Sequence, residues 1–260
     1  MNEIFIYENT LPKAYHQALL ALENYGEITD CADWDTTQKE ISVTICIEYP
    51  LEEPMISKLF IGGPKELEQY RQEVLDGILD FEIEKGNWTY TYHDRIVNYP
   101  LHGEKVGSCL NQVDFVINEL KRNPSSRRAV ILVRDPSIDA FDGDPACLQH
   151  IQYFIRENKL HCKVLFRSND ACKANFMNMF AFILLQKRIA DALDIEVGTY
   201  THRANSFHCY EKDFNMLKSY VKAINDPNED NEYDYIDDWD EIMEEYKPEI
   251  DNMVKELKSH

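Results

Sequence analysis

The chain has 260 residues, 44% hydrophobic and 12% aromatic, which is core material for one large domain or two small ones and too much for a disordered chain. Its 27 Lys and Arg against 47 Asp and Glu give a formal charge of −20. A field of that sign repels DNA, RNA and anionic lipid, yet it leaves room for a small anion held in a local pocket of arginines.

Ile4-Phe5-Ile6-Tyr7 predicts a short strand. Thr10-Leu11-Pro12 predicts a helix start by the cap-then-proline rule, and Gly26 a stop after Tyr25. Ile41 to Tyr49 alternates with β-branched residues as a strand does, and Lys65 to Leu79 has helical spacing. Trp88-Thr89-Tyr90-Thr91-Tyr92 favours a strand or extended turn. Asn111 to Lys121 reads as a helix ended by Asn123-Pro124, and Ala129 to Arg134 as a buried strand. Ile151 to Ile155 and Leu160 to Arg167 read as strands around a turn at Glu157-Asn158. Met179 to Leu193 is apolar enough for a core helix; Thr199 to Tyr210 is extended and Glu211 to Ile224 helical. Without a strict βαβ rhythm, this order predicts an α+β fold, a mixed sheet packed by helices.

Residues 226–245 hold eleven Asp/Glu and no Lys or Arg, so the rest of the chain carries only −9. Tyr233, Ile236, Trp239, Ile242 and Met243 recur at roughly helical spacing within that run. We read residues 1–260 as a single domain with an acidic peripheral segment at about 226–260 and a thin apolar stripe. Seven widely spaced cysteines, with no CxxC pair and no secretory signal, predict reduced thiols in a cytoplasm. No run is long and apolar enough to span a membrane, and no ligand spacing points to a metal.

Four segments carry residue types that suit chemistry. In Asp144-Pro145-Ala146-Cys147-Leu148-Gln149 a cysteine follows a proline-led turn and precedes a strand, as a nucleophile facing a cleft does; a buried structural cysteine is the bland alternative. Arg167-Ser168-Asn169-Asp170 follows a strand and offers a guanidinium fork and a hydroxyl to phosphate oxygens; otherwise it is a polar turn. Arg127-Arg128, ahead of a buried strand, reads equally as an anion clamp or as a salt-bridged surface pair. His208 and Tyr210, two apart in an extended chain, share a face and present an imidazole and a phenol to one ligand hydroxyl.

The order of these segments resembles the thymidylate synthase superfamily. The matching string is Arg127-Arg128, Pro145-Ala146-Cys147-Leu148-Gln149, Arg167-Ser168-Asn169-Asp170, Asn178 and His208-x-Tyr210, within a resemblance over roughly Trp88 to Asp213. Leu51-Glu52-Glu53-Pro54, Tyr70-Arg71-x-Glu73-Val74, Tyr90-Thr91-Tyr92-His93-x-Arg95 and Gly198-x-Tyr200-Thr201-His202 look most like the compact archaeal-type branch.

The resemblance implies that Cys147 adds as a thiolate to C6 of a pyrimidine nucleotide, so that C5 takes a one-carbon unit from a methylene-carrying folate. It implies catalytic roles for Cys147, Arg167, Asp170 and Tyr92, with Tyr92 lining the cysteine pocket. Ser168, Arg127 and Arg128 match phosphate ligands, the last two across a homodimer interface formed by the sheet. Asn178 matches the reader of the pyrimidine edge, His208 and Tyr210 match ligands of the sugar 3′-hydroxyl, and Gln149 falls in the substrate-binding set. Asp170 and Trp88 match the cofactor side. A thiol with the usual pKa near ~8.5 needs neighbouring positive charge, which Arg167 supplies.

Some family features differ. Leu148 stands where a histidine commonly follows the nucleophile, and the early phosphate-binding arginine loop is not recognisable. Glu73 is the candidate for the glutamate that assists proton transfer, and Trp88 for a remnant of the folate wall. The chain ends Leu257-Lys258-Ser259-His260 without a Pro-x-Ala-Val tail. The leading expectation is conversion of dUMP to dTMP with 5,10-methylenetetrahydrofolate, or a methanopterin analogue, as one-carbon donor. The alternatives are a pyrimidine nucleotide 5-hydroxymethylase, in which water replaces the hydride, and a non-catalytic nucleotide-binding relative.

Overall fold

The computed structural model describes residues 1–259. One mixed sheet is built from β1 (Glu3–Glu8), β2 (Glu27–Cys31), β3 (Thr36–Ile47), β4 (Val130–Leu132), β5 (Leu148–Arg156), β6 (Lys159–Phe166), β7 (Asn169–Asp170) and β8 (Glu196–Tyr210). The strand path is β1-β3-β8-β6-β5-β4, with β2 beside β3 and β7 beside β8. β1 runs parallel to β3 and β6 parallel to β8; the pairs β3–β8, β6–β5 and β5–β4 are antiparallel.

Alternation fixes which face is core. Ile41, Val43, Ile45 and Ile47 of β3 are fully buried, as are Leu160, Cys162 and Phe166 of β6 and Tyr200, His202 and Ala204 of β8. This face is covered by α1 (Leu11–Tyr25), α4 (Gln112–Arg122), α5 (Asn175–Leu193) and α6 (Phe214–Ile224). Outside this layer, α2 (Pro64–Asp76) packs on α5, and α7 (Asp240–Ser259) packs on α2, while the short α3 (Tyr92–Val97) links α2 to α4. The opposite face keeps Phe5 and Tyr7 exposed at 68% and 51%, with Phe154 and Leu165 only half-buried.

The element boundaries follow local chemistry. α1 lies where Pro12 and Gly26 place it, and α2 ends at Gly77, whose φ of +65° suits a residue without a Cβ. Glu157 and Asn158, both at positive φ, form the β5–β6 hairpin turn. Two corrections concern elements. Of the strand or extended turn expected at Trp88 to Tyr92, the strand is absent: Thr91 is extended, and its Oγ1 accepts from the Asp94 N–H at 3.0 Å and caps α3. The acidic run is more firmly docked than a thin stripe implies. Trp239 and Met243 are buried, and Glu53 accepts from the backbone N–H groups of Tyr235 at 2.7 Å and Ile236 at 3.1 Å. Tyr233, Ile236 and Ile242 of the same run stay exposed.

Candidate active site

Irregularities in two strands build the site. The β5–β6 register shifts between Leu148 and His150, and the carbonyl of Gln149 accepts from both Val133 N–H and Arg134 N–H, at 3.0 and 3.3 Å. This bulge sets Cys147 just ahead of the regular strand. In β8 the register shifts between Ala204 and Phe207, which bends the strand so that Phe207 and His208 pair with Asn169 and Asp170 of β7.

Arg167 holds the turn that carries the cysteine. Its backbone N–H donates to the Cys147 carbonyl at 2.8 Å, Nη2 to the Pro145 carbonyl at 2.6 Å and Nε to the Ala146 carbonyl at 3.2 Å. Gln149 Nε2 donates to the same turn, at 2.9 Å to Ala146 O and 3.3 Å to Cys147 O. Both side chains thus brace the cysteine loop. Burial pushes the Cys147 thiol above its ordinary pKa; Arg167 pulls it down and Asp144 pushes it up, and burial prevails. The proximity of Arg167 expected from sequence is present, but it does not outweigh desolvation of the thiol.

Beside this loop lies a cavity of about 500 Å³ lined by Tyr70, Glu73, Trp88, Tyr90, Tyr92 and Asp144 among others. Tyr90 and Tyr92 lie 5.9 Å apart between ring centres, and Tyr92 packs edge-on against Phe166. Burial raises both phenols, Tyr90 lying against the backbone of Cys147 and Tyr92 against that of Leu148. Glu73 is raised by burial and accepts from Gln69 Nε2 at 2.8 Å. Trp88, 42% exposed, stands on the cavity wall.

The Ser168-Asn169-Asp170 segment is held from beneath. Asn169 Oδ1 accepts from Asn175 Nδ2 at 2.8 Å and bonds His202 Nε2 at 2.9 Å, and His202 Nδ1 bonds the Tyr200 hydroxyl at 3.1 Å. Burial holds His202 down at about 3, so it is neutral here. Asp170 Oδ1 accepts from the N–H groups of Cys172 and Lys173, at 2.9 and 3.0 Å, and turns the chain towards α5. Burial raises Asp170 and lowers His208, which attract each other. The His208 and Tyr210 rings meet at 4.8 Å and 68°, the shared face expected from their spacing. Burial pushes Tyr210 up to about 12, with Asp170 adding to the rise and Arg167 opposing it. On α5, Asn178 is buried, and its Oδ1 accepts from the hydroxyl of Tyr70.

Tyr92, Glu73 and Trp88 therefore line the cavity, whereas Cys147, Arg167 and Gln149 form the loop beside it, which meets the cavity through Asp144 and Tyr90. Asp170, His208 and Tyr210 adjoin Arg167, and Asn178 joins through Tyr70. Arg127 and Arg128 are exposed and precede β4 at the end that pairs with Gln152, away from the Cys147 loop. Among the cavity residues that sequence reasoning missed as site residues are Tyr70, Tyr90, Asp144 and Asp142. The first two stand in the strings that carry the resemblance; for Asp144 the only signal is its place three residues before Cys147.

Comparison with known proteins gives this arrangement a family. The thymidylate synthase family profile matches residues 60–248, which include the whole cavity lining. A relative from Methanocaldococcus jannaschii, whose thymidylate synthase name is provisional, is 34% identical over 224 residues, covering 83% of this chain and 95% of its own. Thymidylate synthase 1 of Bacillus subtilis (strain 168) is 31% identical over 186 residues, 71% of this chain and 60% of that one. The fold matches that of the thermostable thymidylate synthase A from Bacillus subtilis with a TM-score of 0.64, over 83% of this chain and 85% of that one, at 20% identity. On the family match and the extent of these likenesses, the chain belongs to the thymidylate synthase family.

Proposed function

We propose that the protein is a thymidylate synthase that transfers a one-carbon unit from 5,10-methylenetetrahydrofolate, or a methanopterin analogue, to C5 of dUMP, giving dTMP. The observation that carries this reading is Cys147, in a loop braced by Arg167, with its backbone against Tyr90 of the aromatic cavity wall. Pure nucleotide binding needs no thiol there, which argues against a non-catalytic relative.

Cys147 Sγ adds to C6 of the uracil as a thiolate, C5 becomes a carbon nucleophile that bonds the methylene group and loses its proton, and the thiolate leaves C6 when the hydride arrives. Arg167 has guanidinium hydrogens left over after bonding Pro145 O and Ala146 O, and with Ser168 it binds the phosphate. Asn178 reads the base edge, and His208 with Tyr210 holds the sugar hydroxyl. Asp170 serves the base and cofactor side. The one-carbon donor supplies the methylene group and the reducing hydride. Trp88, Tyr90 and Tyr92 suit a flat heterocycle, and the carboxylates of Glu73, Asp142 and Asp144 suit its N–H edge.

In this reading the protein acts as a cytoplasmic homodimer through the uncovered face of the sheet, where Phe5, Tyr7, Phe154 and Leu165 lack a covering layer. The test is product analysis by mass spectrometry, with dUMP, dCMP, UMP and CMP each offered with methylenetetrahydrofolate. The expected product is dTMP from dUMP alone; a 5-hydroxymethyl product assigns the hydroxymethylase reaction instead.

A further inference from the structure

We propose that Tyr70 is the positioning residue that makes Asn178 selective for uracil, by donating its hydroxyl to Asn178 Oδ1 and so fixing which way round the amide stands. The inference rests on the proposed role of Asn178 at the base edge and deepens it.

A side-chain amide alone does not discriminate uracil from cytosine. Its oxygen accepts from uracil N3–H while its NH2 group donates to O4; rotated by half a turn, the same amide donates to cytosine N3 and accepts from the amino group. Selectivity therefore needs something that forbids the rotation. Asn178 is buried on α5, and Tyr70 reaches it from α2, the helix packed against α5. The hydroxyl of Tyr70 points at Oδ1, which retains a second lone pair for uracil N3–H. Rotating the amide puts NH2 against the hydroxyl, and the hydroxyl proton then needs another acceptor. Among the described residues Tyr70 has none besides Asn178. The uracil-reading orientation is favoured by one buried hydrogen bond, a factor of about tenfold.

Tyr70 also lines the cavity with Glu73, one helical turn further along α2. Glu73 accepts from Gln69 Nε2 at 2.8 Å, whereas the Tyr70 hydroxyl donates to the base-reading amide.

The test compares kcat/KM for dUMP and dCMP in the unaltered enzyme, in Tyr70→Phe, in Asn178→Ala and in the double variant. The prediction is that Tyr70→Phe lowers the dUMP-to-dCMP ratio at least about tenfold, and that the same change has no further effect on the ratio once Asn178 is alanine. A purely structural role lowers both substrates together and leaves the ratio alone. A ratio unchanged in Tyr70→Phe, in an enzyme that itself prefers dUMP, overturns this inference only. An unaltered enzyme that uses dCMP as well as dUMP overturns the base assignment and this inference with it. A second measurement needs no substitution: nuclear magnetic resonance of the unaltered protein with dUMP bound shows a slowly exchanging Tyr70 hydroxyl proton close to the Asn178 amide. Absence of that signal also overturns the inference.

Discussion

The backbone N–H of Arg167 donates to the carbonyl of Cys147 at 2.8 Å, which ties the end of one strand to the loop that carries the proposed nucleophile. The guanidinium of the same arginine holds Pro145 O and Ala146 O, so the cation is fixed beside the thiol. Even so, burial keeps the Cys147 thiol above its ordinary pKa, with Asp144 adding to the rise.

It follows that alkylation of Cys147 by iodoacetamide keeps accelerating at a pH where an ordinary thiol, with pKa near ~8.5, has levelled off. Asp144→Asn speeds the reaction severalfold at pH 8, and Arg167→Ala slows it. Site-resolved peptide mass spectrometry checks this, with the exposed Cys109 as internal control. A slower Asp144→Asn variant contradicts the electrostatic account.

Arg95 pairs with Asp139 at 2.8 Å, with both side chains almost fully buried, and it also donates to Val133 O at 3.4 Å. Its guanidinium lies 5.7 Å from the Tyr90 ring centre, so one ion pair supports the cavity wall and the turn after β4. Arg95→Ala strands a buried carboxylate and is expected to cost about 3–5 kcal/mol of stability. Urea denaturation measures it; a loss below about 1 kcal/mol counts against a load-carrying pair.

His16 is held down at about 4 and His202 at about 3, in both cases by burial. Their ordinary value, 6.5, applies to the unfolded chain, which therefore binds protons that the folded protein refuses. Their contribution to stability is complete above pH 6.5 and is lost as pH falls towards 4 and below, at up to ~1.4 kcal/mol per pH unit for each histidine. Urea titrations at pH 7, 6 and 5 should show the decline, and His16→Gln should flatten it. An unchanged slope in that variant excludes His16 as a source.

The exposed position of Arg127 and Arg128 suits residues that serve a partner's site. Mixing an Arg127→Ala/Arg128→Ala chain with a Cys147→Ala chain is expected to restore up to about one quarter of normal activity, because half of randomly paired dimers hold one intact site. No recovery, or a monomer by sedimentation at working concentration, contradicts the shared site.

Much of this architecture was legible in the residues. Pro12 and Gly26 punctuate α1, and the alternation in Ile41 to Ile47 marks a core strand, because local chemistry decides both. Trp88 to Tyr92 misled because aromatic and β-branched residues favour strands, whereas here Thr91 caps a helix and Tyr92 packs on Phe166 and Phe182. β2, Glu27–Cys31, gave no signal: it is a polar edge strand with no buried residue to set a period. At the site, the order of Cys147, Arg167, Asn178 and His208 carried the resemblance. The meeting of Tyr70 with Asn178 did not show, since it joins positions 108 apart through the packing of two helices.

The central claim is that Cys147 makes C5 of a uracil nucleotide reactive. The most direct measurement is release of tritium to water from dUMP labelled at C5, in the presence of methylenetetrahydrofolate. Release by the unaltered protein, stoichiometric with dTMP formed, is expected, and none by Cys147→Ala, which should still bind dUMP. Release at the normal rate from Cys147→Ala, or none from the unaltered protein when dTMP is formed, contradicts it.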